Sequence, residues 1–101
     1  MSDKKLTMEI LAGPLDGYIV ILEEETVWGA KGEGPLSFPW DAELGERQAR
    51  FFAEEGHWWL ESYPARHGTY RNMERVDTSV QLEEGDLVKA SAVWMLVHKL
   101  E

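Results

Sequence analysis

Short segments in which apolar and polar residues alternate, separated by frequent turn sequences, dominate this chain. Leu6, Met8 and Ile10 alternate with polar residues, which is the pattern of a strand buried on one face. Gly13–Gly17 follows as a turn, and similar glycine- and proline-containing turns recur along the sequence. Many short strands between closely spaced turns are typical of a β-sandwich or a β-barrel.

The pattern predicts about ten strands. The clearest are Met8–Leu11, Tyr18–Leu22, Ala49–Ala53, Trp58–Glu61 and Val93–His98. Tyr18–Leu22 is apolar at nearly every position, so we expect this strand to be buried on both faces. A brief strand is also expected at Leu36–Phe38, and Asp41–Leu44 is compatible with one helical turn.

Tryptophan is frequent, and most of the tryptophans lie on predicted apolar strands. We therefore expect Trp28, Trp58, Trp59 and Trp94 in the core. Trp40 differs because it lies between Pro39 and Asp41 in a predicted loop. Two interpretations stay open for its ring, which either contacts a partner or packs beneath its own loop.

Length and composition limit the functions to consider. A chain of 101 residues, 44% of them hydrophobic, suits one domain over residues 1–101. The absence of cysteine excludes disulfides and thiolate chemistry, and the net charge of −9 argues against nucleic acid or anionic lipid as the main ligand. No apolar run approaches the roughly 20 residues of a membrane span, and the start of the chain is polar, so we expect a cytoplasmic location.

Positive charge is concentrated in the middle of the chain. All five arginines lie between residues 47 and 75, a region with a net charge of +1 in an otherwise acidic sequence. Two interpretations remain open. The region either forms a local site for an anion or carries ordinary ion pairs on solvated strand faces.

Several short motifs occur in an order that resembles the forkhead-associated (FHA) domain. They are Gly13–Gly17, Trp28–Ala30, Leu44–Arg50, Trp58–Leu60, His67–Asn72 and Leu82–Leu87. The resemblance spans about Leu6 to Leu100 and implies a β-sandwich of ten to eleven short antiparallel strands. It also implies a non-enzymatic module in which loops at one end of the sandwich usually bind phosphothreonine.

The chain departs from the family pattern at the positions that the resemblance assigns to phosphate binding. Ala30 stands where the family has an arginine and Gly45 where it has a serine, so two hydrogen-bond donors to phosphate are missing. Glu46 adds a negative charge beside Gly45. Gln48 and His67 replace the family's histidine and asparagine, whereas its turn and packing residues are retained as Gly29, Gly68, Thr69 and Asn72.

The sequence therefore predicts a protein-interaction module that has lost ordinary phosphothreonine recognition. The candidate residues for binding a protein or peptide partner are Ala30, Lys31, Trp40, Gly45, Glu46, Arg47, Arg66, His67, Gly68 and Thr69. The alternative hypothesis retains phosphothreonine binding through basic residues at neighbouring positions, with Arg47, Arg66 or Lys31 replacing the missing arginine. The partner, phosphorylated or not, and the oligomeric state stay open.

Enzymatic and metal-binding functions are disfavoured. Ser62, His67 and Asp77 are the residue types of a hydrolase triad, but the sequence has no Gly-x-Ser-x-Gly motif around a serine. The histidines His57, His67 and His98 match no standard metal-binding spacing. We expect no catalytic activity, no metal and no cofactor.

Overall fold

The computed structural model describes residues 5–101 as an all-β structure of ten strands. The strands are β1 (Leu6–Ile10), β2 (Ile19–Leu22), β3 (Thr26–Trp28), β4 (Ala49–Glu54), β5 (His57–Ser62), β6 (Tyr70–Arg71), β7 (Glu74–Arg75), β8 (Ser79–Gln81), β9 (Leu87–Ala90) and β10 (Val93–Leu100). The first turn contains a short 3₁₀ helix, Gly13–Leu15. Residues 1–4, most of the polar start discussed above, lie outside the described residues.

The strands form two antiparallel sheets. One has six strands in the order β2-β1-β10-β9-β6-β7, and the other has four in the order β3-β4-β5-β8. Within the four-stranded sheet, Ala49 is opposite both Trp28 and Ser62. The chain therefore leaves β3, enters β4 and leaves β5 at the same end of the sheet.

The core consists of the inward-facing residues of both sheets. In β1 and in the first half of β10, buried and partly buried residues alternate, as the period of two requires. Trp28 and Phe51 are fully buried, with their ring centroids 6.2 Å apart. Trp58 and Phe38 are also fully buried. The prediction of an all-β sandwich with about ten strands is therefore confirmed.

The prediction that Tyr18–Leu22 is buried on both faces is wrong. β2 is the outermost strand of the six-stranded sheet, where Val20 and Leu22 point inward and Ile19 and Ile21 are about half exposed. An apolar run does not distinguish a central strand from an edge strand, because the order of strands in a sheet depends on contacts between residues distant in sequence.

Other local expectations also need correction. Trp58 is fully buried, whereas Trp59 and Trp94 are only partly buried, because neighbouring side chains of a strand point to opposite faces. Leu36–Phe38 is not a ladder strand, since only an isolated bridge joins Ser37 to Gly29. Asp41–Leu44 forms turns rather than helix. Among residues 5–101 there is no helix long and apolar enough to cross a membrane.

A pair of polar side chains, Asn72 and Asp86, fixes two turns of the six-stranded sheet. Asn72 has a positive φ of 51°, and its amide nitrogen donates to buried Asp86 at 2.9 Å. Its amide oxygen accepts from the Leu87 N–H at 2.9 Å, while Asp86 accepts from the Glu83 N–H. Asn72 and Asp86 thus join the β6–β7 turn to the turn before β9.

Candidate functional site: the loop end

Three segments meet where the chain leaves β3, enters β4 and leaves β5. We call residues 30–35, 40–48 and 63–69 together the loop end. Backbone bonds hold the first two segments, since the Ala30 N–H donates to the Gly45 oxygen at 2.9 Å and the Lys31 N–H to the Glu46 oxygen at 3.4 Å. Gly29 permits this approach, because a Cβ atom there would overlap the Glu46 carbonyl.

Gln48 joins the second and third segments from inside the protein. Its side chain is fully buried, and its amide oxygen accepts from the Gly45 N–H at 3.0 Å. The amide nitrogen donates to the His67 carbonyl at 2.8 Å and to the hydroxyl of buried Thr69 at 2.9 Å. All three bonds satisfy polar groups that would be costly to leave unpaired.

Most cationic side chains of the loop end contact a carboxylate of the same surface. The Lys31 ammonium lies 3.3 Å from Glu46, and the Arg66 guanidinium lies 3.3 Å from Glu43. The same Glu43 oxygen is 3.2 Å from the His67 ring nitrogen. These side chains are largely exposed, so each pair contributes little to stability. Their effect is to offset positive charge at the surface.

Arg47 has a different environment. Its guanidinium donates to the Tyr63 hydroxyl at 2.9 Å and lies 4.4 Å from the centre of the Tyr63 ring. Among residues 5–101, no carboxylate forms a salt bridge with Arg47. The structure thus holds this cation on an aromatic face without neutralising it.

The Trp40 side chain packs against Phe38 and Gly13. Its ring stacks on Phe38 with 5.4 Å between centroids, and it covers Gly13 so closely that a Cβ there would lie 2.6 Å from the indole. The side chain is nevertheless 37% exposed. The packing of the ring beneath its own loop is therefore observed in part, and contact of its accessible region with a partner stays a prediction.

A buried carboxylate anchors the segment that follows Trp40. Asp41 accepts from the Glu43 N–H at 3.1 Å and from the Ser91 hydroxyl at 2.9 Å. Ser91 lies in the turn between β9 and β10. Asp41 therefore fixes Glu43 relative to the six-stranded sheet.

Two depressions border the third segment of the loop end. One, of about 360 Å³, is lined by Tyr63, Ala65, Gly68 and Arg75 among others. The second, of about 400 Å³, includes Glu43, His67, Tyr70 and Lys89 together with the same Gly68. Gly68 thus borders both hollows, and each of them mixes apolar and charged groups.

The residues considered for catalysis or metal binding have other contacts. The Ser62 hydroxyl donates weakly to the Tyr63 carbonyl at 3.5 Å, and the His67 ring contacts Glu43. His57 bonds with Gln81, and His98 with Glu9. Within residues 5–101, no group of three histidine or carboxylate side chains is placed to hold a metal ion.

The structure brings most of the sequence-predicted site residues together. Hydrogen bonds and ion pairs, some through Glu43 and Gln48, join these candidates into one cluster: Ala30, Lys31, Gly45, Glu46, Arg66, His67 and Thr69. Sequence reasoning missed Glu43 and Tyr63 as individual site residues, although both lie in loops predicted to contribute. The sequence did show an acidic and an aromatic residue in these loops, which is typical of contact residues. The side chains that Glu43 and Tyr63 contact cannot be predicted from spacing along the sequence.

Comparison with known proteins identifies the fold and the family. The family model described as the FHA domain matches residues 35–90. The fold is similar to the FHA domain of an Arabidopsis thaliana hypothetical protein, with 23% identity and a TM-score of 0.84 over 100% of this chain and 90% of that one. No curated protein sequence matches the chain.

Two further solved structures show the same architecture. The FhaA FHA domain, complexed with the intracellular domain of Rv3910, has 20% identity and a TM-score of 0.79 over 92% of this chain and 99% of that one. An FHA domain analysed for phosphothreonine-dependent interactions has 20% identity and a TM-score of 0.81, covering 94% and 96%. The FHA family model matches more than half of the length of this chain. The chain therefore belongs to the FHA domain family of non-catalytic protein-interaction modules.

Proposed function

We propose that this chain is a single FHA domain that binds a protein partner through the loop end without the ordinary phosphothreonine contacts. The observation that carries the proposal is the pairing of loop-end cations with the protein's own carboxylates. Glu46 contacts Lys31, and Glu43 contacts both Arg66 and His67. A phosphate entering this surface would meet two carboxylates before it gained a cation.

The positions that carry phosphate donors in the family support the same conclusion. Ala30 and Gly45 adjoin each other through a backbone hydrogen bond, and neither has a side chain that donates. The scaffold beneath them is nevertheless intact, because Gln48 still links Gly45, His67 and Thr69. A maintained loop scaffold without the phosphate donors favours recognition of an unmodified partner, for which rigidly held loops are suitable. The cytoplasmic location stays a prediction.

The test is a calorimetric titration with a phosphothreonine peptide library and with its unphosphorylated counterpart. We expect no saturable, phosphate-dependent binding below about 1 mM. An unphosphorylated peptide-display library, screened against this protein, should yield peptides that bind it. The Arg66→Ala or His67→Ala substitution should lower the affinity for these peptides. Met73→Ala, at an exposed turn away from these residues, is the control. Low-micromolar binding that requires the phosphate would contradict the proposal.

One observation favours a second candidate function. Arg47 is held over Tyr63 and has no carboxylate partner in the described part of the chain, so it differs from Lys31 and Arg66 in being available to an anion. If phosphate-dependent binding is found, its loss in Arg47→Ala but not in Arg50→Ala would assign it to this substituted site. Arg50 is a suitable control because Glu25 and Glu61 already bind its guanidinium.

A further inference from the structure

The outer strand β2 exposes apolar side chains at an open sheet edge. Tyr18, Ile19 and Ile21 are 52%, 49% and 58% exposed, and β1 is the only strand paired with β2 among the described residues. Edge strands are commonly protected by charged residues, proline or a bulge. The strand Ile19–Leu22 contains no such residue, and its β-branched side chains suit strand pairing.

The backbone of β2 has hydrogen-bonding groups directed away from β1. The Ile10 N–H donates to the Tyr18 oxygen at 2.9 Å, and the same register pairs Met8 with Val20 and Leu6 with Leu22. Bonded pairs alternate with non-bonded pairs in an antiparallel ladder. The N–H and C=O groups of Ile19 and Ile21 therefore face the open edge, where an added strand would bind them.

A groove of about 360 Å³ accompanies this edge. Its lining consists of Ile10, Leu15, Tyr18, Ile19, Val20, Ile21 and Pro35. A strand added beside β2 would place one set of alternate side chains next to Ile19 and Ile21, both of which line this groove. The edge thus offers backbone bonds and an apolar surface at once.

Charge selects among the possible occupants. Asp16 precedes the strand, and Glu23, Glu24 and Glu25 follow it. Lys5 contacts Glu23 at 3.7 Å and Arg50 contacts Glu25 at 2.7 Å, which offsets part of this charge. In an antiparallel pair with a second copy, the three glutamates would face Asp16 of the other chain. Like charges disfavour that arrangement, whereas a basic partner segment would be attracted.

We propose that β2 accepts an extended segment of a partner protein as an additional antiparallel strand. The segment has basic residues immediately before alternating β-branched residues, because its N-terminal end would lie beside Glu23 and Glu24. Such strand addition takes its affinity from main-chain hydrogen bonds and its specificity from alternate side chains. The groove includes Pro35 of the loop end, but none of the loop-end contacts described above involves Pro35, so neither proposal depends on the other.

The experiment uses a blocked peptide of two lysines followed by Val-Thr-Val-Thr-Val, added to the isotopically labelled chain. We expect the backbone amides of Ile19 and Ile21 to shift in NMR spectra and to gain protection from hydrogen exchange. A peptide with the lysines moved to its C-terminal end should bind at least about fivefold more weakly, because the lysines would no longer lie beside Glu23 and Glu24. N-methylation of one alternating set of peptide amides should abolish binding, whereas the other set should tolerate it.

Matched variants test the side-chain contribution. Replacing both Ile19 and Ile21 by serine should weaken binding about tenfold while preserving the fold, since two cross-strand apolar pairs are lost at exposed positions. Met73→Ser removes an even more exposed apolar side chain elsewhere and should change nothing. Unchanged Ile19 and Ile21 amides at about 1 mM peptide would refute the proposal. Sedimentation showing a dimer that protects the same amides would assign the edge to a second copy instead.

Discussion

The side-chain nitrogen of Gln48 lies 2.9 Å from the Thr69 hydroxyl, and both residues are fully buried beneath the loop end. Gln48 immediately precedes β4, and Thr69 immediately precedes β6 of the other sheet. This bond, together with the Gln48 contact to the His67 carbonyl, ties loops of both sheets together. The position of the candidate site therefore depends on one internal amide.

Removal of this amide should destabilise the protein. Gln48→Leu has a similar size but leaves the Gly45 N–H and the Thr69 hydroxyl without partners. We expect a loss of about 2–4 kcal/mol, since each unsatisfied buried group costs roughly 1–3 kcal/mol. Urea unfolding gives the value. Gln48→His is the matched variant and should lose less, because an imidazole retains a donor and an acceptor. Equal losses for both variants would contradict a hydrogen-bonding role.

Gly29 should tolerate no side chain. A Cβ atom there would overlap the Glu46 carbonyl oxygen, so Gly29→Ala must separate β3 from the segment that carries Gly45 and Glu46. We expect a loss of at least about 1–3 kcal/mol, as for other overpacked sites. Gly34→Ala is the control, because nothing lies within 4 Å of its added methyl group. If thermal melts place both variants at the same midpoint, the close approach is not required.

The two neighbouring tryptophans of β5 should behave differently. Trp58 is fully buried, so Trp58→Ala should cost about 3–5 kcal/mol through the cavity that it leaves. Trp59 is partly buried on the outer face and its indole donates to the Glu54 carbonyl at 3.2 Å. We expect a smaller loss for Trp59→Ala, about 1–2 kcal/mol. Chemical denaturation of both variants compares them directly, and a larger loss at Trp59 would reverse the assignment of faces.

The same strand shows what the sequence is able to predict. The period of two established that Trp58 and Trp59 face opposite ways, but both lie in one apolar run, so the pattern alone does not tell which face meets the other sheet. The same limit applies to Ile19 and Ile21, whose exposure follows from the edge position of β2. Local alternation predicts strands, whereas sheet order arises from contacts distant in sequence.

At the loop end, the resemblance to the FHA family located the segments but not their side-chain pairings. It implied that the loops near Ala30, Gly45 and His67 lie at one end of the sandwich, and hydrogen bonds join them. The contact of Glu43 with Arg66 bridges residues far apart in sequence. Exposed ion pairs of this kind depend on side-chain rotamers and are weakly specified, so no spacing rule identifies them.

Asn72 and Asp86 should be energetically coupled. Their side chains form a hydrogen bond of 2.9 Å. Asn72 also accepts from the Leu87 N–H, and Asp86 accepts from the Glu83 N–H. In a double-mutant cycle with Asn72→Ala and Asp86→Ala, the double variant should lose less stability than the sum of the single variants by about 0.5–3 kcal/mol. Equilibrium unfolding of the four proteins measures the coupling. Additive losses would show that the two turns are fixed independently.

The proposed function predicts that phosphothreonine binding appears when hydrogen-bond donors are introduced at positions 30 and 45. Ala30→Arg supplies a guanidinium, and Gly45→Ser supplies a hydroxyl at the adjoining position. Charge-assisted hydrogen bonds contribute roughly 1.5–3 kcal/mol each. The pair should therefore strengthen binding of a phosphothreonine peptide by about two to four powers of ten, from millimolar or weaker towards micromolar.

A Cβ at Gly45 would lie 3.0 Å from that of Ala65, so the third segment must yield slightly, and thermal melts should first establish that the double variant folds. Ala30→Arg alone is the intermediate step and should recover about half of the free energy, because one of the two donors is present. Addition of Glu43→Gln and Glu46→Gln should strengthen binding further by removing the two carboxylates that compete for Arg66 and Lys31. The unphosphorylated peptide, titrated in parallel, separates phosphate recognition from general attraction. If the folded double variant binds the phosphorylated peptide no better than the parent chain does, the side chains at positions 30 and 45 do not control phosphothreonine binding.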